Sequence, residues 1–290
     1  MLSGVITAIV TPFSNGLLDE KSLSELISFQ LEKGIHGIVP CGTTGESPTL
    51  NSEEYKRVVG ITVATVDKKV PVIAGAGANN TARAVELTRT AKSLGVDATL
   101  QVAPYYNKPT QEGLFQHFKA VAEVGLPIVL YNIPARCGID IQPETVARLA
   151  EFPEIIAIKE ASGSIVQMAE FRKHCGDRLT LLTGDDAQTL PAMCMGGKGV
   201  ISVLSNLLPQ EMVEMYRDWQ DGDTPSAIAR NAELFPVMQA MFIEANPVPV
   251  KTALVMKGLI KSSEVRLPLC DMSDENKKEL TRVMQDAGIL

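Results

Sequence analysis

Short apolar runs rich in β-branched residues recur eight times along the chain, about 25 to 30 residues apart. They are near-continuous rather than alternating, which is typical of parallel strands covered by helices. The runs are GVITAIVTPF from Gly4, IHGIVPCG from Ile35, PVIAGAG from Pro71, DATLQVAP from Asp97, PIVLYNIP from Pro127, IIAIKEAS from Ile155, LTLLTGDD from Leu179 and GVISVLSN from Gly199. This repeat constrains the fold more than any other feature of the sequence.

The segments between these runs carry helical periodicity and helix-start signals. Capping residues stand at Asp19, at Asn51 with Glu54 three residues on, and at Thr110, and Pro143 occupies a first-turn position. Eight alternating strand and helix units favour a closed (β/α)8 barrel, that is, a TIM barrel. An open doubly wound sheet is the alternative, but it usually carries G-x-G-x-x-G after its first strand, where this chain has TPFSNG.

Beyond about residue 208 the apolar pattern is helical only. No flexible linker separates this part from the rest, and ANPVP around Asn246 interrupts two of its candidate helices. We therefore expect a (β/α)8 barrel over residues 1–208 and a C-terminal helical region over residues 209–290 that packs on the barrel.

Charge and composition exclude several classes of function. The formal net charge is −7 and the pI is about 5.2, which argues against broad electrostatic binding to nucleic acid or to an anionic membrane. The apolar N-terminus lacks a basic region and no apolar run approaches about 18 residues, so we expect a cytoplasmic protein without signal peptide or membrane span. The five cysteines and three histidines show no C-x-x-C or H-x-x-x-H spacing, so we expect no disulfide framework, no metal and no other cofactor.

Lys159 is the most informative single residue, because it follows Ile-Ala-Ile inside the sixth apolar run. Active sites of α/β barrels lie at the carboxyl ends of the strands. Partial burial there lowers the pKa of an amine, and a neutral amine can attack a ketone to form an imine. A structural ion pair is the alternative, but Glu160 is a poor partner because neighbours on a strand face opposite sides. We therefore favour Lys159 as a Schiff-base nucleophile.

Hydroxyl groups and one arginine occupy other strand ends. Tyr131 ends the fifth run, and Thr43 and Tyr106 follow the second and fourth runs. Alone, Tyr131 is as readily a packing residue, but the three hydroxyls together can relay protons to and from a carbinolamine. Arg136, after the fifth strand, can bind a carboxylate in a forked pair, although a lone loop arginine is more often solvated.

Two other polar features stay open when only the residues are considered. The GTTGES turn offers backbone N–H groups and two hydroxyls to a carboxylate or phosphate, but it lacks the Gly-Lys-Ser/Thr ending of a P-loop. Asp185 and Asp186 could serve as metal ligands, as an acid–base pair or as helix caps, and we favour caps.

Eight motifs in a fixed order resemble those of the dihydrodipicolinate synthase family: GTTGESPTL, PVIAGAGANNT, PYYNKPTQEGL, YNIPARCG, IAIKEASG, TGDDA, GGKGVISV and NPVPVK. The resemblance extends from about residue 3 to the C-terminal AGIL. It implies a lyase of lysine and diaminopimelate biosynthesis that condenses pyruvate with L-aspartate semialdehyde. In that reaction Lys159 would form the imine with pyruvate, and Tyr131 would donate and accept protons.

The resemblance also implies roles for other positions. Thr43 and Tyr106 match the relay partners of the tyrosine, and in the family the residue matching Tyr106 enters from a neighbouring subunit. Thr44 and Ile201 match pyruvate-binding positions. Arg136 matches the arginine that holds the carboxylate of the semialdehyde. Family members are usually homotetramers built as a dimer of dimers, so we expect the same here.

Departures from the family pattern concern regulation more than catalysis. Lysine-sensitive members use histidines and a glutamate near the tight dimer interface, whereas the matching positions here are Ser52, Tyr55 and Arg83. Because a cationic effector would lose an acidic partner and meet Arg83, we expect weak or absent feedback inhibition by lysine. Cys137 stands where the family often has threonine, and we interpret it as a space-filling residue.

Two rival functions fit parts of the same pattern. N-acetylneuraminate lyase and the 2-keto-3-deoxy sugar acid aldolases look similar and share the Schiff-base lysine and the tyrosine. They generally lack an arginine at the position of Arg136, so its presence favours the synthase. A non-catalytic barrel that senses a metabolite is the third hypothesis, and retention of the lysine, the tyrosine and the hydroxyl relay argues against it.

Overall fold

The computed structural model describes residues 2–290 and contains eight parallel barrel strands. They are β1 (Gly4–Ala8), β2 (Gly37–Val39), β3 (Ile73–Gly75), β4 (Ala98–Val102), β5 (Ile128–Asn132), β6 (Ile155–Glu160), β7 (Thr180–Thr183) and β8 (Gly199–Ser202). Their order in the sheet is β2-β1-β8-β7-β6-β5-β4-β3. Each strand lies in one of the eight apolar runs, and the eight strands belong to one sheet with helices between them, so the predicted (β/α)8 fold is confirmed.

Helices alternate with these strands and continue after the last one. They are α1 (Glu20–Glu32), α2 (Ser52–Val66), α3 (Thr81–Ser93), α4 (Gln111–Ala122), α5 (Pro143–Leu149), α6 (Ile165–Cys175), α7 (Thr189–Cys194), α8 (Pro209–Gln220), α9 (Thr224–Ala240), α10 (Val248–Met256) and α11 (Asp274–Asp286). The predicted caps are confirmed at Asp19, Asn51 and Thr110, and Asn51 forms a complete capping box with Glu54. Within residues 2–290, no helix is both long and apolar enough to cross a bilayer.

The described chain forms two compact units, and the first comprises residues 2–4 and Pro71–Ile201. It contains β3 to β7, most of β8 and helices α3 to α7. Its core packs Phe118 and Phe171, both fully buried, with apolar residues of the strands such as Leu130 and Ile158. The register of β5 against β6 places Tyr131 directly opposite Lys159, which brings two predicted site residues side by side.

The second unit comprises Val5–Val70 and Ser202–Leu290. In it, β1 pairs with β2, with Thr7 opposite Ile38. The side chain of Gln30, on α1, is fully buried and donates from Nε2 to the carbonyl of Ser205 at 2.9 Å. Helices α8 to α11 supply the rest of this unit, so the C-terminal helices predicted from the sequence are present. The proposed boundary at residue 208 stays a prediction.

Candidate active site

Lys159 lies near the carboxyl end of β6 and is 5% exposed. Its Nζ lies 4.3 Å from the centroid of the Tyr131 ring, on the neighbouring strand. Apolar residues that precede Lys159 on the strand favour this burial, because Ile155, Ala157 and Ile158 supply the packing that keeps the strand in the core. The amine is thus buried beside one phenol.

Burial lowers the pKa of the Lys159 amine from 10.5 to about 8. The carboxylate of Asp186 opposes this shift, and the guanidinium of Arg136 reinforces it. At pH 7 an amine with this pKa is neutral in about one molecule in ten, against about one in 3000 at the ordinary pKa. The surroundings of Lys159 therefore produce a nucleophilic amine near neutral pH.

Gly184, directly after β7, makes room for the Lys159 side chain. A Cβ at this position would lie 2.6 Å from Lys159 Cε and 2.9 Å from Ala161 Cβ, well inside van der Waals contact. The backbone N–H of Gly184 also donates to the carbonyl of Glu160 at 2.7 Å. Gly184 is not among the site residues predicted from the sequence, although its place at a strand end in TGDD was the available signal.

The two aspartates after Gly184 differ in their environments. Asp185 caps a short 3-10 helix, Asp186–Gln188, and accepts from the N–H of Ala187 at 3.0 Å, so the predicted cap is confirmed there. Asp186 is 1% exposed and interacts electrostatically with Lys159. The cap hypothesis is therefore wrong for Asp186, which supplies a negative charge that sequence neighbours alone could not reveal.

Glu160 turns away from its neighbour Lys159, as expected for adjacent residues of a strand. It is fully buried, and its carboxylate accepts from Asn132 Nδ2 at 2.8 Å and from the N–H of Ser162 at 2.5 Å. Burial raises the pKa of Glu160, and these hydrogen bonds oppose the shift. Glu160 is thus a structural carboxylate with its own partners.

The other predicted residues of the first unit have contrasting exposure. Arg136 is exposed in a single helical turn, Pro134–Cys137, that follows β5. Tyr106 is 88% exposed and has a φ of 75°, whereas Ile201 on β8 is fully buried. Burial raises the pKa of the Cys137 thiol to about 11, which supports the space-filling interpretation over a reactive thiolate.

The GTTGES turn belongs to the second unit and is held from within that unit. Thr44 is 2% exposed, and its Oγ1 accepts from Asn246 Nδ2 at 3.0 Å. Thr43 is half-buried, and its carbonyl accepts from the N–H of Glu46, whose φ is 54°. The turn is thus a rigid feature, and the roles of Thr43 and Thr44 stay predictions.

A barrel strand that presents a buried lysine with a pKa near 8, beside a tyrosine, has the features of an imine-forming barrel enzyme. The model of the dihydrodipicolinate synthetase family matches residues 1–287, so the chain belongs to this family.

Individual relatives agree with this assignment. The 4-hydroxy-tetrahydrodipicolinate synthase of Thermodesulfovibrio yellowstonii is 51% identical over 291 residues, covering 100% of both chains. A crystal structure of a dihydrodipicolinate synthase matches with a TM-score of 0.97 at 50% identity, again over 100% of both chains. The chloride-inhibited dihydrodipicolinate synthase from Acinetobacter baumannii, solved in complex with pyruvate, matches with a TM-score of 0.97 at 42% identity over 100% of both chains.

Proposed function

We propose that this enzyme is a lyase that condenses pyruvate with L-aspartate semialdehyde to give 4-hydroxy-tetrahydrodipicolinate, in lysine and diaminopimelate biosynthesis. The observation that carries the proposal is Lys159, a buried amine with a pKa of about 8, 4.3 Å from the Tyr131 ring in a chain of this family. The names of the relatives and the pyruvate complex of one of them support the choice of substrates.

The first half of the reaction uses the neutral amine. Lys159 Nζ attacks the ketone carbon of pyruvate, and the carbinolamine loses water to give an imine. Loss of a proton from the pyruvate methyl group then produces an enamine. We assign the proton transfers to Tyr131, with Thr43 and Tyr106 as its relay partners, because a phenol placed beside the amine can both donate and accept.

The second half joins the two substrates and releases the lysine. The enamine carbon attacks the aldehyde carbon of L-aspartate semialdehyde, and the aldehyde oxygen takes up a proton to become a hydroxyl. The amino group of the same substrate then attacks the imine carbon and displaces Lys159 Nζ, which closes the ring. We assign Thr44 and Ile201 to pyruvate binding and Arg136 to the carboxylate of the semialdehyde, since guanidinium pairs with carboxylate in a forked geometry.

Reduction with borohydride in the presence of pyruvate tests the imine. We expect a reduced pyruvate adduct on Lys159 by mass spectrometry, and none in Lys159→Ala. Lys21→Ala removes a surface lysine whose side chain is 74% exposed and serves as the matched control, with the adduct unchanged. An adduct on another lysine, or none in the wild-type protein, would exclude the mechanism.

A second assay separates the synthase from its sister lyases. We expect condensation of pyruvate with L-aspartate semialdehyde and no cleavage of N-acetylneuraminate or of 2-keto-3-deoxy sugar acids. Cleavage of either sugar acid at a rate similar to the condensation would favour the alternative, while the pyruvate adduct on Lys159 would form in both cases.

We further propose a homotetramer, a dimer of dimers, as is usual in the family. Tyr106 supports it, because a tyrosine that is 88% exposed at a strand end is suited to contact a neighbouring subunit. Sedimentation at micromolar concentration is expected to give a tetramer. A monomer with full activity would contradict both the assembly and the relay role of Tyr106.

We also propose that feedback inhibition by lysine is weak. Arg83 pairs with Glu86 at 2.8 Å, so the position that matches an acidic residue in lysine-sensitive members carries a positive charge. We expect less than about twofold inhibition by millimolar lysine, because a cation gains little next to a guanidinium. Strong inhibition below millimolar lysine, in the condensation assay, would show that another group replaces the missing acid.

A further inference from the structure

A polar cluster within the first unit joins β5, β6 and the loop that follows β5. Asn132, the last residue of β5, is fully buried. Its Nδ2 donates to Asp140 Oδ1 at 2.7 Å and to Glu160 Oε2 at 2.8 Å, while its Oδ1 accepts from the N–H of Ile141 at 3.0 Å. One amide therefore links two strand ends to the far end of the loop.

Asp140 has further partners on two helices. Its Oδ1 also accepts from Gln167 Nε2, on α6, at 2.8 Å, and its backbone carbonyl accepts from Gln111 Nε2, on α4, at 2.8 Å. Gln142 adds a longer contact of 3.4 Å to Oδ2. The loop is thus fastened at residue 140 to α4, α6 and β5 at once.

Arg136 lies between the two anchored points of this loop, Asn132 and Asp140. Its side chain is exposed, yet its charge acts on Lys159, so the loop conformation sets where this guanidinium stands relative to the amine. Because side chains alternate along a strand, Asn132 and Glu160 face away from Tyr131 and Lys159. The cluster can hold the loop without touching the reacting groups.

Placing two carboxylates next to one buried amide costs free energy, because the carboxylates repel each other and one of them is desolvated. Burial raises the pKa of Glu160, and the nearby Asp140 carboxylate raises it further. Replacing buried ionic groups by apolar ones is often neutral or stabilising, so stability alone does not account for this cluster, and placement of the loop is a role that it can perform.

We propose that Asp140 is a positioning residue that holds the Arg136 loop in the conformation that binds the carboxylate of the second substrate. The proposal rests on the proposed function, since it concerns L-aspartate semialdehyde. It assigns Asp140 mainly to the second half-reaction, so the KM for the semialdehyde should change much more than imine formation with pyruvate.

The variant Asp140→Ala tests this assignment. We expect the KM for L-aspartate semialdehyde to rise about tenfold or more, because a small displacement of a binding group is costly. The pyruvate concentration that gives half-maximal borohydride adduct on Lys159 should change less than about twofold. In Asp140→Asn, the amide oxygen can still accept from Asn132 and Gln167, so most of the increase should disappear.

Asp97→Ala is the matched control. Asp97 is also a loop carboxylate of the first unit, and it accepts from the N–H of Val72 at 2.8 Å before β4, at the amino ends of the strands. We expect the KM for L-aspartate semialdehyde and the pyruvate concentration for half-maximal adduct to stay within about twofold of the wild type. Barrel residues at that end contribute to stability rather than catalysis.

The outcomes separate the hypotheses. Equal changes in semialdehyde KM and in pyruvate trapping would overturn the positioning role, as would an unchanged KM in a folded Asp140→Ala protein. If that variant does not fold, Gln167→Leu decides, with a rise of about threefold expected in semialdehyde KM alone and no rise contradicting the proposal. A wild-type protein without a pyruvate adduct would refute the proposed function itself and this inference with it.

Discussion

Two lysines are buried within residues 2–290, and they differ in the groups that surround their amines. Lys159 is 5% exposed and lies 4.3 Å from the Tyr131 ring, and Lys251 is fully buried and lies 4.5 Å from the Phe13 ring. Lys251 differs by its oxygen partners, since its Nζ donates to Glu46 Oε1 at 2.7 Å. Burial and an aromatic neighbour are therefore common to both amines and do not by themselves make a nucleophile.

Lys251 is surrounded by acceptors on several sides. Besides Glu46, its amine donates to the carbonyl of Thr11 at 3.0 Å and to the carbonyl of Glu264. Burial lowers the pKa of Lys251, but the Glu46 carboxylate opposes this shift and keeps the ammonium ion in an ion pair. Burial is the largest influence on both amines and lowers both pKa values. At Lys159 the charges of Asp186 and Arg136 act in opposite directions, whereas at Lys251 the carboxylates of Glu46 and Glu264 both oppose burial. The acceptors around a buried amine therefore help to decide whether it forms a structural ion pair or reacts.

Removing Lys159 should produce the largest effect on activity. Lys159→Met is expected to lose the pyruvate adduct and to lower kcat at least about a thousandfold, because the variant lacks the amine that forms the imine. The folded-state pKa of about 8 lies below 10.5, so near pH 7 the buried ammonium destabilises the fold. The same variant should therefore gain stability, on the order of 3 kcal/mol at pH 7, in denaturant unfolding. A large loss of stability in Lys159→Met would show that Lys159, like Lys251, stabilises the fold.

Removing Lys251 should lower stability and leave formation of the pyruvate adduct intact. Lys251→Met leaves the Glu46 carboxylate, whose side chain is 1% exposed, without its cation, which is expected to cost about 3–5 kcal/mol of unfolding free energy. The folded fraction should still form the pyruvate adduct on Lys159. Adding Glu46→Gln should recover part of the lost stability, because the uncompensated charge is then removed. A stable Lys251→Met protein that does not form the pyruvate adduct would show that Lys251 takes part in the reaction and not in stability.

The pH dependence of imine formation should show a smaller effect than the removal of either lysine. The initial rate should rise about tenfold between pH 7 and pH 9 and then level off, because the neutral fraction of an amine with a pKa of about 8 increases over this range. Asp186→Asn removes a charge that raises the pKa of Lys159, so the midpoint should move to lower pH. Arg136→Ala should move it to higher pH. Borohydride trapping at saturating pyruvate measures each midpoint, and shifts in the same direction would show that these charges do not act on Lys159.

Much of the fold could be predicted from local patterns. The eight apolar runs, the helix starts at Asp19, Asn51 and Thr110, and the strand position of Lys159 all depend on residues close together in sequence. Alternation along a strand was enough to separate Lys159 from Glu160, as their different partners confirm. These features are local, so the periodicity of the sequence carries them.

The interactions that distinguish the two lysines join distant parts of the chain. Glu46 and Lys251 are 205 residues apart, and Asn132 and Glu160 are 28 apart. The room that Gly184 leaves for Lys159 depends on the packing of two neighbouring strands. These pairings could not be predicted from the sequence, because pairing between distant parts of the chain leaves no periodic signal.

Local sequence patterns were enough to predict a (β/α)8 chain with a lysine at the end of its sixth strand and a tyrosine at the end of its fifth. Tertiary structure alone decided that these two side chains lie in register and that the amine has a pKa of about 8. The physical reason is that strand propensity and side-chain alternation depend on neighbours in sequence. A pKa depends instead on desolvation and on charges such as Asp186 that only folding brings near.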